Sequence, residues 1–91
     1  MMKKVVVLGA GMVGGAMAAD LCTEYEVVVV DADRGRGDAL AGRHRLTFQQ
    51  ADLTQPAAIA AVVAPADLVI GAVPGFMGFQ VLAAVIAAGK N

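Results

Sequence analysis

Gly9, Gly11 and Gly14 stand at G-x-G-x-x-G spacing in the run Gly9-Ala10-Gly11-Met12-Val13-Gly14, and an aspartate, Asp31, follows at about the 20-residue interval that a ribose acceptor requires. These types at this spacing suit recognition of a pyrophosphate by main chain. Gly9 permits a tight turn, Gly11 lets the anion approach the backbone, and Gly14 lets a helix pack close to a sheet. A helix starting near Met12, with Val13 in its first turn, would aim free N–H groups and its positive dipole end at the phosphates. Asp31 would accept hydrogen bonds from an adenine-side ribose; without a ligand it would be a solvated strand-end carboxylate. Asp33 and Arg34 follow at once. Arg34 can pair with a 2′-phosphate and so favour NADP, whereas Asp31 repels that phosphate. The implied cofactor is NAD or NADP, with Asp31 tipping the balance towards NAD. Asp52 falls at a strand's carboxyl end, the side on which open α/β sheets bind ligands. It would contact adenine or cap a helix.

No catalytic residue is assigned. His44 lies between Arg43 and Arg45 and is expected to be exposed. With one Cys and one His, zinc-type spacing is absent and no metal site is expected. The lone Cys22 excludes an internal disulfide and reads as a small buried hydrophobe.

The elements that must position these residues can be read from apolar runs. Val5–Leu8 is a continuous apolar run, as for a strand buried on both faces. A first helix is predicted from Met12 to about Thr23, with Val13, Met17 and Leu21 as its apolar stripe. Tyr25–Val30 is a β-branched second strand. Gly35–Gly42 makes only a weak helix, because Gly35 and Gly37 break its start. Leu46–Ala51 is a third strand. Thr54 is a candidate N-cap for a helix over Gln55–Ala64, with Pro56 in its first turn and Ile59, Val62 and Val63 on its apolar face. Asp67–Val73 is a fourth strand. Pro74-Gly75-Phe76 is a turn, and a last helix over Met77–Ala88 ends at Gly89 as a C′ glycine. This alternation predicts an α/β fold, a Rossmann-like doubly wound parallel sheet in the order 3-2-1-4. Residues 1–91 are read as a single dinucleotide-binding domain, cut before further strands.

Net charge is −1, so no electrostatic footprint for nucleic acid exists. The hydrophobic fraction of 58%, mostly Ala and Val, suits a buried parallel sheet under close-packed helices. Lys3-Lys4, the apolar run and Ala16-Met17-Ala18 mimic a secretory signal. The nucleotide-loop spacing of the glycines argues against it. Leu68–Gly89 carries no charge, yet Gly71, Pro74, Gly75 and Gly78 suit strand, turn and helix better than a membrane span. A cytoplasmic protein is expected. The apolar fourth strand, with no fifth to cover it, predicts self-association or docking through that edge.

Four stretches carry a family resemblance: VVVLGAGMVGGAMAADL, YEVVVVDAD, ADLTQPAAI and DLVIGAVPGFMGFQVLAAVIAAGKN. With them the chain resembles the amino-terminal nucleotide-binding domain of the saccharopine dehydrogenase and lysine dehydrogenase family. The fourth stretch, with its Val-Pro-Gly-Phe turn, is the more specific. The resemblance implies that Val73, Pro74 and Gly75 line the inner half of the cofactor. It implies a longer oxidoreductase that acts with NAD or NADP on a C–N bond of a lysine-type amino acid. Substrate and catalytic groups would then lie outside this sequence. The competing reading is a non-catalytic nucleotide sensor, resembling the regulatory domains of potassium transporters.

Overall fold

A computed structural model of the chain describes residues 3–72 together with Ile86 and Gly89. Among the described residues four strands and three helices alternate: β1 (Lys4–Leu8), α1 (Met12–Leu21), β2 (Glu26–Asp31), α2 (Arg34–Arg43), β3 (Thr47–Gln50), α3 (Pro56–Val63) and β4 (Leu68–Gly71). The strands form one sheet in the order β3-β2-β1-β4, and every pairing is parallel. This is the order that the apolar runs predict. Register places Leu8 opposite Val30 and Gly71, and Asp31 opposite Gln50. The carboxyl ends of all four strands therefore meet at one rim.

β1 alternates between two cores, as a period of two requires. Val6 and Leu8 join Val30, Ile59, Val62 and Val63 beneath α3. Val5 and Val7 join Val27, Val29, Ala18, Cys22 and Leu40 beneath α1 and α2. Helices thus cover both faces, and Ile59, Val62 and Val63 form the buried face of α3 as expected. At the opposite rim the Asp67 N–H donates to Lys4 O at 2.9 Å, and Lys4 N–H donates to Asp67 Oδ2 at 2.8 Å. That exchange pins the start of β4 to the start of β1.

Four local expectations need correction. First, α1 does not pack through Val13 and Met17, which are 68% and 37% exposed; only Leu21 of that stripe leans on the core. Its buried residues are Gly14, Gly15 and Ala18. Close approach to the sheet selects small side chains, and it leaves no room for a methionine. Second, α2 is a full helix rather than a weak one. Asp33 caps it, its Oδ1 accepting from the Arg36 N–H at 3.1 Å. Gly37, expected to break the helix, is a buried contact against the Phe48 ring of β3. Tertiary packing and a cap override poor propensity here. Third, Thr54 is not the N-cap of α3. That position is Gln55, and Thr54 instead turns back to Asp52. Fourth, His44, expected to be exposed, is half-buried at the C-cap of α2.

The turn at 74–76 and the helix predicted over 77–88 lie outside the described residues, apart from Ile86 in helical conformation. Gly89 has φ 77°, the left-handed conformation that glycine favours, and its N–H donates to Ile86 O at 2.9 Å.

Candidate functional site

The loop between β1 and α1 is fixed by main-chain bonds to its neighbours. Gly9 sits at φ 112°, a conformation that L side chains rarely adopt. Its N–H donates to Val30 O at 2.7 Å, and the Ala10 N–H donates to Asp31 Oδ2 at 2.7 Å. The chain then reaches Gly11, the N-cap of α1, whose helix has no side-chain cap and no acidic residue in its first turn. The dipole end of α1 is left open to an anion. Below it, a Cβ on Gly14 would collide with the Gly9 carbonyl oxygen and lie 3.0 Å from Ala72 Cβ. A Cβ on Gly11 would meet nothing nearer than Arg36 Nη1 at 4.0 Å. Gly14 serves packing, whereas Gly11 opens space.

That space is a cleft of about 580 Å³ at the carboxyl rim, within the range of small-molecule sites. Gly9, Gly11, Met12 and Val13 line one wall, and Asp31 with Ala32 forms the next. Asp52, Leu53 and Thr54 close the far end, and Ala72 the inner one. Met12 is 93% exposed at the lip. The cleft therefore gathers Gly9, Gly11, Met12, Val13, Asp31 and Asp52 from the predicted set. Gly14 lies beneath it. Val73, Pro74 and Gly75 lie outside the described residues.

Asp33 and Arg34 do not line the cleft. Asp33 spends both carboxylate oxygens within α2: Oδ1 on the Arg36 N–H, and Oδ2 paired with Arg36 Nε at 3.5 Å. Arg34 turns to Gln50 Oε1 at 3.3 Å and to Asp38 at 3.9 Å. Gln50 is itself held, its amide donating to Ala32 O at 3.0 Å. Among the described residues, the cation that lines the cleft is Arg36, which the sequence did not rank above Arg34. The available signal was Asp33 as an N-cap: it starts the helix at Arg34 and ties the third helical residue, Arg36, back towards the loop.

Asp52 forms a local turn. Its Oδ1 accepts from the Thr54 hydroxyl at 2.6 Å and from the Thr54 N–H at 2.9 Å. These two bonds, the hydroxyl first, hold its carboxyl below the usual carboxylate range. Asp52 therefore stays charged at neutral pH. Among the described residues, no cluster of three His, Cys, Asp or Glu could hold a metal ion. No helix among them is long and apolar enough to cross a membrane.

A parallel sheet in this order, with an open glycine loop at the end of its first strand, defines a dinucleotide-binding domain. The chain belongs to the family described as saccharopine dehydrogenase NADP binding domain, which it matches over residues 5–91. Among solved structures it is similar to apo histidine-tagged saccharopine dehydrogenase (L-Glu forming) from Saccharomyces cerevisiae. The identity is 26% over 97% of this chain, with a TM-score of 0.86. The chain spans only 20% of that enzyme's length. A short-chain dehydrogenase/reductase (wide type) from Veillonella parvula, solved with NADP, shares the fold at 18% identity. It is covered to 45%, and all of this chain is matched, with a TM-score of 0.76. Pen from Bacillus thuringiensis likewise shares the fold at 16% identity and TM-score 0.82, over 98% of this chain and 36% of its own. Comparison with curated proteins finds no match.

Proposed function

We propose that residues 1–91 form one cofactor-binding domain of a cytoplasmic NADP-dependent dehydrogenase that oxidises a C–N bond of a lysine-type amino acid. The family match over residues 5–91 carries this reading, and the likeness to the yeast enzyme supports its substrate class. The bound dinucleotide accepts or gives hydride at its nicotinamide. This chain's residues bind and orient it. The pyrophosphate lies over Gly11 and Met12 at the open end of α1, with the ribose beside Asp31. Adenine lies between Ala32 and the Asp52–Thr54 turn. Val73, Pro74 and Gly75 line the inner half, as the family resemblance implies. The acid or base and the substrate pocket belong to other parts of a longer protein.

The choice of NADP over NAD rests on Arg36. Asp31 favours NAD in the sequence, but its oxygens already accept from two main-chain N–H groups. Arg36 brings an exposed guanidinium to the mouth of the cleft, beside Gly11. Calorimetric titration tests the assignment. An Arg36→Ala variant loses NADP affinity about ten- to hundredfold, the weight of a hydrogen bond to a charged group, while NAD binding is unchanged. Arg34→Ala leaves the ratio of the two affinities where it was. An unaltered ratio in Arg36→Ala overturns the NADP assignment. Binding of ADP with no gain from the rest of the dinucleotide would favour the nucleotide sensor instead.

β4 supports a second part of the proposal. Leu68 is 47% exposed and Gly71 is open, whereas β1 is buried along nearly its whole length. Among the described residues β4 pairs only with β1. An apolar strand with one free edge takes a partner. Sedimentation of the 91-residue chain at micromolar concentration is expected to show a species heavier than the monomer. A clean monomer removes this part of the proposal.

A further inference from the structure

Asp31 is the point at which three loops of the rim are tied. Its Oδ2 accepts from the Ala10 N–H at 2.7 Å, in the glycine loop. Its Oδ1 accepts from the Asp33 N–H at 2.8 Å, at the entry to α2. Its main-chain oxygen accepts from the Ala51 N–H at 3.1 Å, at the end of β3. Ala10 is 6% exposed and its bond to Asp31 is half-buried, so without the carboxylate its N–H is poorly satisfied. A buried N–H without an acceptor is costly. Together with Gly9 N–H on Val30 O, the bond laces two consecutive residues of the glycine loop to the end of β2. Gly11 follows directly, as the residue with open space above it.

We infer that Asp31 is a positioning residue, whose carboxylate sets the shape of the phosphate loop for any nucleotide that enters the cleft. The inference rests on the cofactor reading above and deepens it. It gives Asp31 an effect on the phosphate end of the ligand, through Ala10, rather than on the ribose alone. A carboxylate only accepts, and both of its oxygens face N–H donors. An amide of the same shape cannot serve both, because one of its two atoms is itself a donor. Asp31→Asn therefore loosens the loop although it keeps an oxygen for a ribose hydroxyl.

Two probes separate the roles, ADP and 2′,3′-dideoxy-ADP, which lacks the ribose hydroxyls. Calorimetry on the 91-residue chain and its Asp31→Asn variant is expected to give a loss of about tenfold for both probes, equal within twofold. A loss confined to ADP overturns the inference and makes Asp31 a ribose contact. No loss on either probe overturns it as well. Amide hydrogen exchange reads the same latch without a ligand. In the unmodified chain the Ala10 and Asp33 amides are protected. In Asp31→Asn both exchange faster, while the Val6 and Val29 amides in the core strands keep their protection. Free exchange at Ala10 in the unmodified chain overturns the inference, even where the variant fails to fold. If the unmodified chain binds neither probe, the cofactor reading fails and exchange alone decides the latch.

Discussion

Gly14→Ala lowers the stability of the domain by about 2 kcal/mol, the usual scale of overpacking in a filled site. In a domain of this size that is a fall of roughly 10 °C in Tm. The direction runs against intrinsic propensity, which favours Ala over Gly inside a helix by about 1 kcal/mol. Packing decides the sign. The added carbon meets the Gly9 carbonyl oxygen and comes within 3.0 Å of Ala72 Cβ. Neither neighbour can give way cheaply. Gly9 N–H is held by Val30 O, and Ala72 N–H donates to Leu8 O at 2.8 Å, so both are fastened to the sheet. Gly14→Val, with two further methyl groups, is expected to abolish cooperative folding. Thermal unfolding followed by circular dichroism checks both. A Gly14→Ala protein melting within a degree or two of the unmodified chain would show that α1 can lift off the sheet.

Gly11→Val fails in the opposite way. The residue has φ −70° and ψ −169°, extended backbone that a β-branched side chain accepts, and its Cβ meets no atom closer than 4.0 Å. The fold survives, at a cost of about 1 kcal/mol for a poorer N-cap. The branched side chain then fills the approach to the main chain. Each lost hydrogen bond to a phosphate contributes about 1.5–3 kcal/mol. Losing even one lowers dinucleotide affinity about ten- to hundredfold. Calorimetry alongside a melting curve separates the two glycines: Gly14 variants lose Tm, and Gly11→Val loses binding at nearly constant Tm. Undiminished affinity in Gly11→Val would remove the pyrophosphate from this loop.

The strands and the glycine loop were legible because their signals are local. Four apolar runs bounded by turns leave few topologies, and parallel crossovers reduce these to the order observed. The face of α1 was not legible. Hydrophobic periodicity follows large side chains, and this helix buries its small ones. Gly14, Gly15 and Ala18 carry little hydropathy, while Val13 and Met17 stand exposed. α2 was underrated because the Phe48 ring that occupies the space over Gly37 comes from a different element. The exchange of Arg34 for Arg36 has a similar origin. Both are basic and both lie beside Asp33, so composition cannot rank them. Gln50, sixteen positions downstream, draws Arg34 away, and the capping carboxylate of Asp33 draws Arg36 in. Long-range partners decide the aim of a surface side chain.

The placement of β1 in the sheet also sets the order in which the chain can fold. β1 is made first, but its two neighbours are β2 and β4, and the bond from Lys4 to Asp67 spans 63 positions. During synthesis, at about 5–20 residues per second, roughly 3 to 13 s separate the emergence of the two ends of that bond. Over that interval one side of an apolar strand has no ladder to join. A sheet whose central strand joins residue 4 to residue 67 has high contact order, so folding is slow relative to a helical domain of equal length. Just before β4 emerges, the nascent sheet β3-β2-β1, open along β1, is the species that a chaperone would meet.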